Sequence, residues 1–137
     1  MKEIKKNYLN ELKMLAHDNP VVVIHWSHQS CVPCKDQENK LDKIKNPFIK
    51  LRKIDLTFPN KDLKGFKKEM DFNHPLPALS VVVNDKYSEY NKKRSDDFYL
   101  QKFSDYRFGL DETEHLFGQI ENPDLYPFKA LKKLGLI

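Results

Sequence analysis

A chain of 137 residues with 39% hydrophobic and 32% charged side chains is sized for one domain with a single core and a heavily solvated surface. Its apolar runs fall well short of the roughly 20 residues needed to span a bilayer. The 24 basic residues exceed the 20 acidic ones by only four and are interleaved with them, so neither a membrane nor a nucleic acid is expected as a partner. The basic start, Met1 to Lys6, leads into mixed residues and not into the apolar segment of a secretory signal, which reads as cytoplasmic. In that compartment a lone pair of cysteines spaced C-x-x-C points to catalysis or metal binding before a structural staple.

In chain order, Ile4, Tyr8, Leu12 and Leu15 recur at helical spacing and predict an amphipathic helix over 3–17, ended by Asn19-Pro20. Val21 to Ile24 are four apolar β-branched residues in a row, which suits a strand over 21–26 buried on both faces. A polar loop then delivers Cys31-Val32-Pro33-Cys34, the only cysteines in the chain, at the start of a helix expected over 32–45 and ended by Asn46-Pro47. Cys31 therefore falls near a helix N-terminus, where unpaired N–H groups and the helix dipole favour thiolate over thiol.

Residues 49–56 read as a strand with Ile49 and Leu51 on one face and Ile54 and Leu56 on the other, which implies either a bulge or burial of both faces. Strand, helix and strand make a βαβ unit. A helix over 61–71 carries the stripe Leu63, Phe66, Met70. Asn73 to Pro77 holds two prolines and is irregular. Ala78 to Val83 is a strand, and Asn84-Asp85 reads as a hairpin turn into another strand beginning near Tyr87. Residues 91–110 show no clear period, Asp111 is a candidate N-cap for a helix to about Ile120, and Asn122-Pro123 precedes a last helix near Pro127 to Leu134.

This order of elements, with the Cys31-Val32-Pro33-Cys34 motif, Trp26 five positions before it and Leu76-Pro77 entering a strand, resembles the thioredoxin family. The segment Lys53-Ile54-Asp55-Leu56 also looks like that family's strand after the redox helix. The resemblance implies an α/β, thioredoxin-like fold: a central mixed sheet flanked by helices, one domain over 1–137 with its core in about 1–90 and a divergent C-terminal extension over 91–137. It also implies a thiol-disulfide oxidoreductase without cofactor or metal. Cys31 would be the nucleophile, and Cys34 would resolve the mixed disulfide. Leu76, a cis Pro77 and Trp26 would form the substrate-binding groove. The partners implied are protein disulfide substrates and a reductase that recharges a monomeric protein.

The sequence also differs from the family pattern. Ser30 and Val32 stand where thioredoxins carry Trp and Gly around the first cysteine. No Asp or Glu lies between Val21 and Cys34, where thioredoxins often bury an acid that serves as proton acceptor, and His25 or Ile24 occupies that place. His28 and His74 are candidates for tuning the thiolate, His25 for a hydrogen-bonded core residue, and Lys53 for proton transfer or simple solvation. Two other readings remain. One is a redox-inert binding module using the aromatic-rich segment from Phe98 to Phe117. The other is a metal site built on His28-x-x-Cys31-x-x-Cys34, with His74 as a fourth ligand. A Cys-His hydrolase lacks an identifiable third group, and four glycines form no phosphate loop.

Overall fold

A computed structural model describes residues 1–19, 21–43, 49–73, 75–84 and 100–106. Its elements are α1 (Tyr8–Asp18), β1 (Val21–Ser27), α2 (Val32–Leu41), β2 (Ile49–Asp55), α3 (Lys61–Glu69), β3 (Ala78–Asn84) and β4 (Leu100–Tyr106). The strands form one mixed sheet in the order β2-β1-β3-β4, with β1 and β2 parallel and the β1/β3 and β3/β4 pairs antiparallel.

The first helix begins at Tyr8, not at residue 3. Residues 2–4 run extended beside β2: Lys53 N–H donates to Lys2 O at 2.8 Å and Ile4 N–H to Lys53 O at 2.9 Å. Asn7 then turns the chain in the left-handed conformation, φ 50°, which Asn tolerates better than most residues. Ile4 falls on the helical period only because it meets the same core that Tyr8, Leu12 and Ala16 cover from α1. At the other end the Asn19 backbone and side-chain amides both donate to Leu15 O, satisfying an orphan carbonyl.

Every residue of β1 from Val21 to Trp26 is buried. Side chains alternate across a strand, so Val22, Ile24 and Trp26 enter the core beneath α1 and α3. Val21, Val23 and His25 face the opposite way, toward α2. Each fully buried Val or Ile contributes about 1.5–3 kcal/mol, which makes β1 the centre of the fold. The β1/β2 register runs unbroken from Val21↔Ile49 to Ser27↔Asp55. That resolves the two options for β2: it has no bulge and buries Ile49 on one face and Ile54 on the other.

Two boundaries differ from expectation at helix ends. The α2 helix stops at Leu41, short of residue 45, where Lys43 N–H donates three residues back to Lys40 O and tightens the last turn. The α3 helix runs from the Asn60 cap, whose Oδ1 accepts the Leu63 N–H at 2.8 Å, to a left-handed Asp71 at φ 50°. There Phe72 N–H reaches Lys67 O and Asp71 N–H reaches Lys68 O, a Schellman termination. Leu63, Phe66 and Met70 form its buried stripe.

The tight hairpin after β3 is not formed. Asn84 pairs with Leu100, so the antiparallel neighbour of β3 is β4, and residues 85–99 connect them. The stretch without clear period thus holds a strand. The expected strand from Tyr87, the helices near 111–120 and 127–134, the aromatic segment apart from β4, Asn46-Pro47 and His74 lie outside the described residues.

Candidate redox site

The end of the sheet where β1 finishes and β3 starts carries the site. Trp26 pairs with Ala78 in the antiparallel register, so the loop from Ser27 to Cys31 and the dipeptide Leu76-Pro77 emerge side by side. The Leu76–Pro77 peptide bond is cis; Pro77 is buried, and Leu76 is half-buried against the core.

Cys31 and Cys34 are joined by a disulfide with Cα atoms 5.3 Å apart. Cys31 is the N-cap of α2, and the Cys34 N–H donates to its sulfur at 3.2 Å. Pro33 sits in the first turn, where its missing N–H costs nothing. Cys34 is fully buried, whereas Cys31 is half-buried and flanked by exposed Val32 and Pro33. An incoming sulfur can therefore reach Cys31 and not Cys34. Once the disulfide opens, the helix terminus and the Cys34 N–H both favour negative charge on the Cys31 sulfur.

The loop ahead of Cys31 is organised by His28. Its Nδ1 accepts from the Ser30 N–H at 3.1 Å and from the Ser30 hydroxyl at 2.8 Å, while its carbonyl accepts the Cys31 N–H at 3.0 Å. Gln29 N–H donates to the Thr57 hydroxyl at 2.9 Å, tying this loop to the one after β2. Thr57 in turn donates its N–H and hydroxyl to Asp55. Burial alone would raise the Asp55 carboxyl, but the Thr57 hydrogen bonds, helped by His28 and Lys53, hold it below its ordinary value.

Beneath the disulfide lies His25. It is fully buried, and its Nδ1 is 2.8 Å from Gln37 Oε1. Cys34, Gln37 and Leu41 are the buried residues of α2 at helical spacing, so the imidazole meets the helix face that carries the resolving cysteine. Lys53 on β2 is half-buried, and its Nζ pairs with Glu38 Oε1 at 3.0 Å. Burial pulls the His25 pKa below its ordinary value. The Gln37 hydrogen bond, Glu38 and the Cys34 backbone oppose that shift, and Lys53 adds to it.

Trp26 is core. It has no exposed surface, its indole N–H donates to Ser80 Oγ at 2.7 Å, and it stacks on Phe72 with centroids 4.1 Å apart. The structure thus gathers Cys31, Cys34, His28, His25 and the Leu76-Pro77 pair at one end of the sheet, with Trp26 on the far face of β1. Gln37, Glu38 and Ser80 are partners that sequence reasoning did not name. Gln37 alone had a signal, being three residues after Cys34 and so on the same helix face. Among the described residues no three His, Cys, Asp or Glu side chains are placed to hold a metal ion.

Neither a protein-family model nor a curated protein matches the sequence. Solved structures do match in three dimensions. Thioredoxin f2 of Chlamydomonas reinhardtii superposes with a TM-score of 0.61 at 17% identity, over 90% of this chain and 99% of that one. The chain has the thioredoxin fold. A complex of ferredoxin:thioredoxin reductase and thioredoxin f2 gives 0.59 at 20% identity, over 88% and 91%. Trichomonas vaginalis thioredoxin gives 0.58 at 13%, over 88% and 97%. At these identities the likeness concerns architecture, and the thioredoxin fold here carries its own side chains around the disulfide: Ser30, Val32 and a buried His25. No helix among the described residues is long and apolar enough to cross a membrane.

Proposed function

We propose that the chain is a thiol-disulfide oxidoreductase that reduces protein disulfides through the Cys31/Cys34 pair. The observation that carries this reading is the asymmetry of the pair, an accessible Cys31 capping α2 with a hydrogen-bonded sulfur and a fully buried Cys34 one turn inside. In the reduced protein the Cys31 thiolate attacks a client disulfide and expels one client thiolate. Cys34 then attacks Cys31, re-forming the intramolecular disulfide and releasing the second client thiol. The client is held at the sheet end formed by Leu76 and Pro77, with exposed Val32 and Phe58 offering apolar contact on the neighbouring loops. Trp26 supports this surface from the core. His28 holds the cysteine loop. A monomeric single-domain protein in a reducing compartment such as the cytoplasm, recharged by a separate reductase and free of cofactor and metal, fits this chemistry.

The test is a trapping experiment. Cys34→Ser removes the resolving thiol and accumulates mixed disulfides with disulfide-bearing proteins, and Cys31→Ser in addition abolishes them. If Cys34→Ser traps nothing, the reading is wrong. The direction is read from the potential of the pair: near roughly −270 mV marks a reductant, nearer about −120 mV an oxidant.

A further inference from the structure

The α3 helix carries a charge pattern that the redox site does not use. Lys61, Lys64 and Lys67 recur every three residues and so stand one above another on one side of it. Like charges at that spacing repel. No acid within the helix lies three or four residues from any of the three, since Asp62 and Glu69 have Gly65 and Phe66 at those distances instead. Among the described residues none of the three lysines makes an ion pair, whereas Lys5 and Lys53 do; Lys67 lies over the Phe72 ring, 5.8 Å from its centroid. The lysines border a groove of about 610 Å³ whose apolar lining is Leu56, Pro59 and Leu63, and no acidic side chain among the described residues lines it. The segment after β2 that forms one wall is bonded to the cysteine loop. Leu56 N–H donates to Ser27 O at 2.7 Å, and Gln29 N–H donates to the Thr57 hydroxyl at 2.9 Å.

We propose that this groove docks an acidic, extended segment of the client protein while Cys31 acts on the client's disulfide. The proposal rests on the Cys31/Cys34 reading above. Ammonium groups without carboxylates of their own, set around an apolar lining, complement a chain that carries carboxylates and apolar side chains together. From Lys61 to Lys67 the helix rises about 9 Å, and residues on one side of an extended chain recur about every 7 Å. An acidic residue at every second position therefore sets two carboxylates along the lysine row. The aliphatic stems of the lysines cover the apolar groups between them. A protein segment fits this place because the groove wall is bonded to the loop that ends in Cys31, so a chain lying in it continues toward the disulfide. Exposed charges of this kind act mainly on encounter, and their effect fades as salt screens them.

The test uses the reduced full chain in single turnover with two cyclic peptide disulfides, identical except for a Glu-Leu-Glu tail on one and Gln-Leu-Gln on the other. Thiols formed are counted by alkylation and mass. At low salt the acidic peptide should be reduced at least about fivefold faster, an advantage that falls below about twofold in about 0.5 M salt. Lys61→Gln/Lys64→Gln should remove the advantage. Lys13→Gln/Lys43→Gln, an equal loss of exposed charge on α1 and after α2, should keep it. The same loss in both variants would assign the preference to net charge and overturn the proposal. Should the first variant fold poorly, backbone NMR of the oxidised wild type decides: a cysteine-free peptide with the Glu-Leu-Glu tail should shift the resonances of residues 56–67. Shifts there with inorganic phosphate and none with the peptide would assign the groove to a small anion and overturn the proposal. Equal wild-type rates for the two disulfides overturn it too and leave the oxidoreductase reading standing. No reduction of either peptide removes both.

Discussion

Burying a titratable imidazole ties the stability of the fold to pH. The folded state holds His25 below its ordinary value of 6.5 because burial penalises the charged ring. The unfolded chain binds a proton there as pH drops through about 6.5 and the folded one does not, so unfolding takes up a proton. Stability is therefore complete above that pH and declines below it, until the folded-state value is reached. The difference can reach at most one proton, which sets an upper limit of about 1.4 kcal/mol per pH unit on the slope. With a urea m-value of roughly 1–3 kcal/mol/M the midpoint should fall with pH by no more than about 0.5–1.4 M per unit. The assay is urea unfolding of the disulfide-bonded protein between about pH 8 and pH 5, followed by the single tryptophan, on wild type and His25→Gln. Asp55 works in the same direction, but its carboxyl lies below 3.8 and titrates outside this window. Equal slopes in the two proteins would refute the argument.

Two further expectations concern the frame around the site. Ser80→Ala strands the buried Trp26 N–H and should cost about 1–3 kcal/mol; the same change in a Trp26→Phe background should cost clearly less, and equal losses in a double-mutant cycle would show the hydrogen bond to be inert. Asn60→Ala removes the α3 cap and should lower stability by about 0.5–2 kcal/mol in urea unfolding, with Asn60→Asp retaining most of it.

Much of the fold is written locally. Four apolar β-branched residues allow little but a buried strand, Pro33 and the polar run behind it allow a helix start, and the Leu63, Phe66, Met70 stripe places α3 to within two residues. What could not be read were pairings across the chain. Ile4 matches the helical period of α1, yet a hydrogen-bond partner 49 residues on, Lys53, draws it into extended structure. Asn84-Asp85 has turn chemistry, but register with Leu100 decides where the strand finds its neighbour. In the site, the cysteine spacing and the proline before β3 were visible as a pattern. The roles of polar residues were not, because they depend on which face of β1 each occupies: His25 and Trp26 are adjacent in sequence and stand on opposite sides of the sheet.

The extended segment at residues 2–4 also bears on how the molecule behaves in company. A strand at the rim of a sheet offers unpaired N–H and C=O groups to any extended chain that passes, which is how sheets of separate molecules fuse into aggregates. Here Lys2 and Ile4 occupy the outward main-chain groups of Lys53, halfway along β2. The β2 rim is thus closed to strand exchange at its middle, and self-association along it would first have to displace a segment whose Ile4 side chain is anchored in the core.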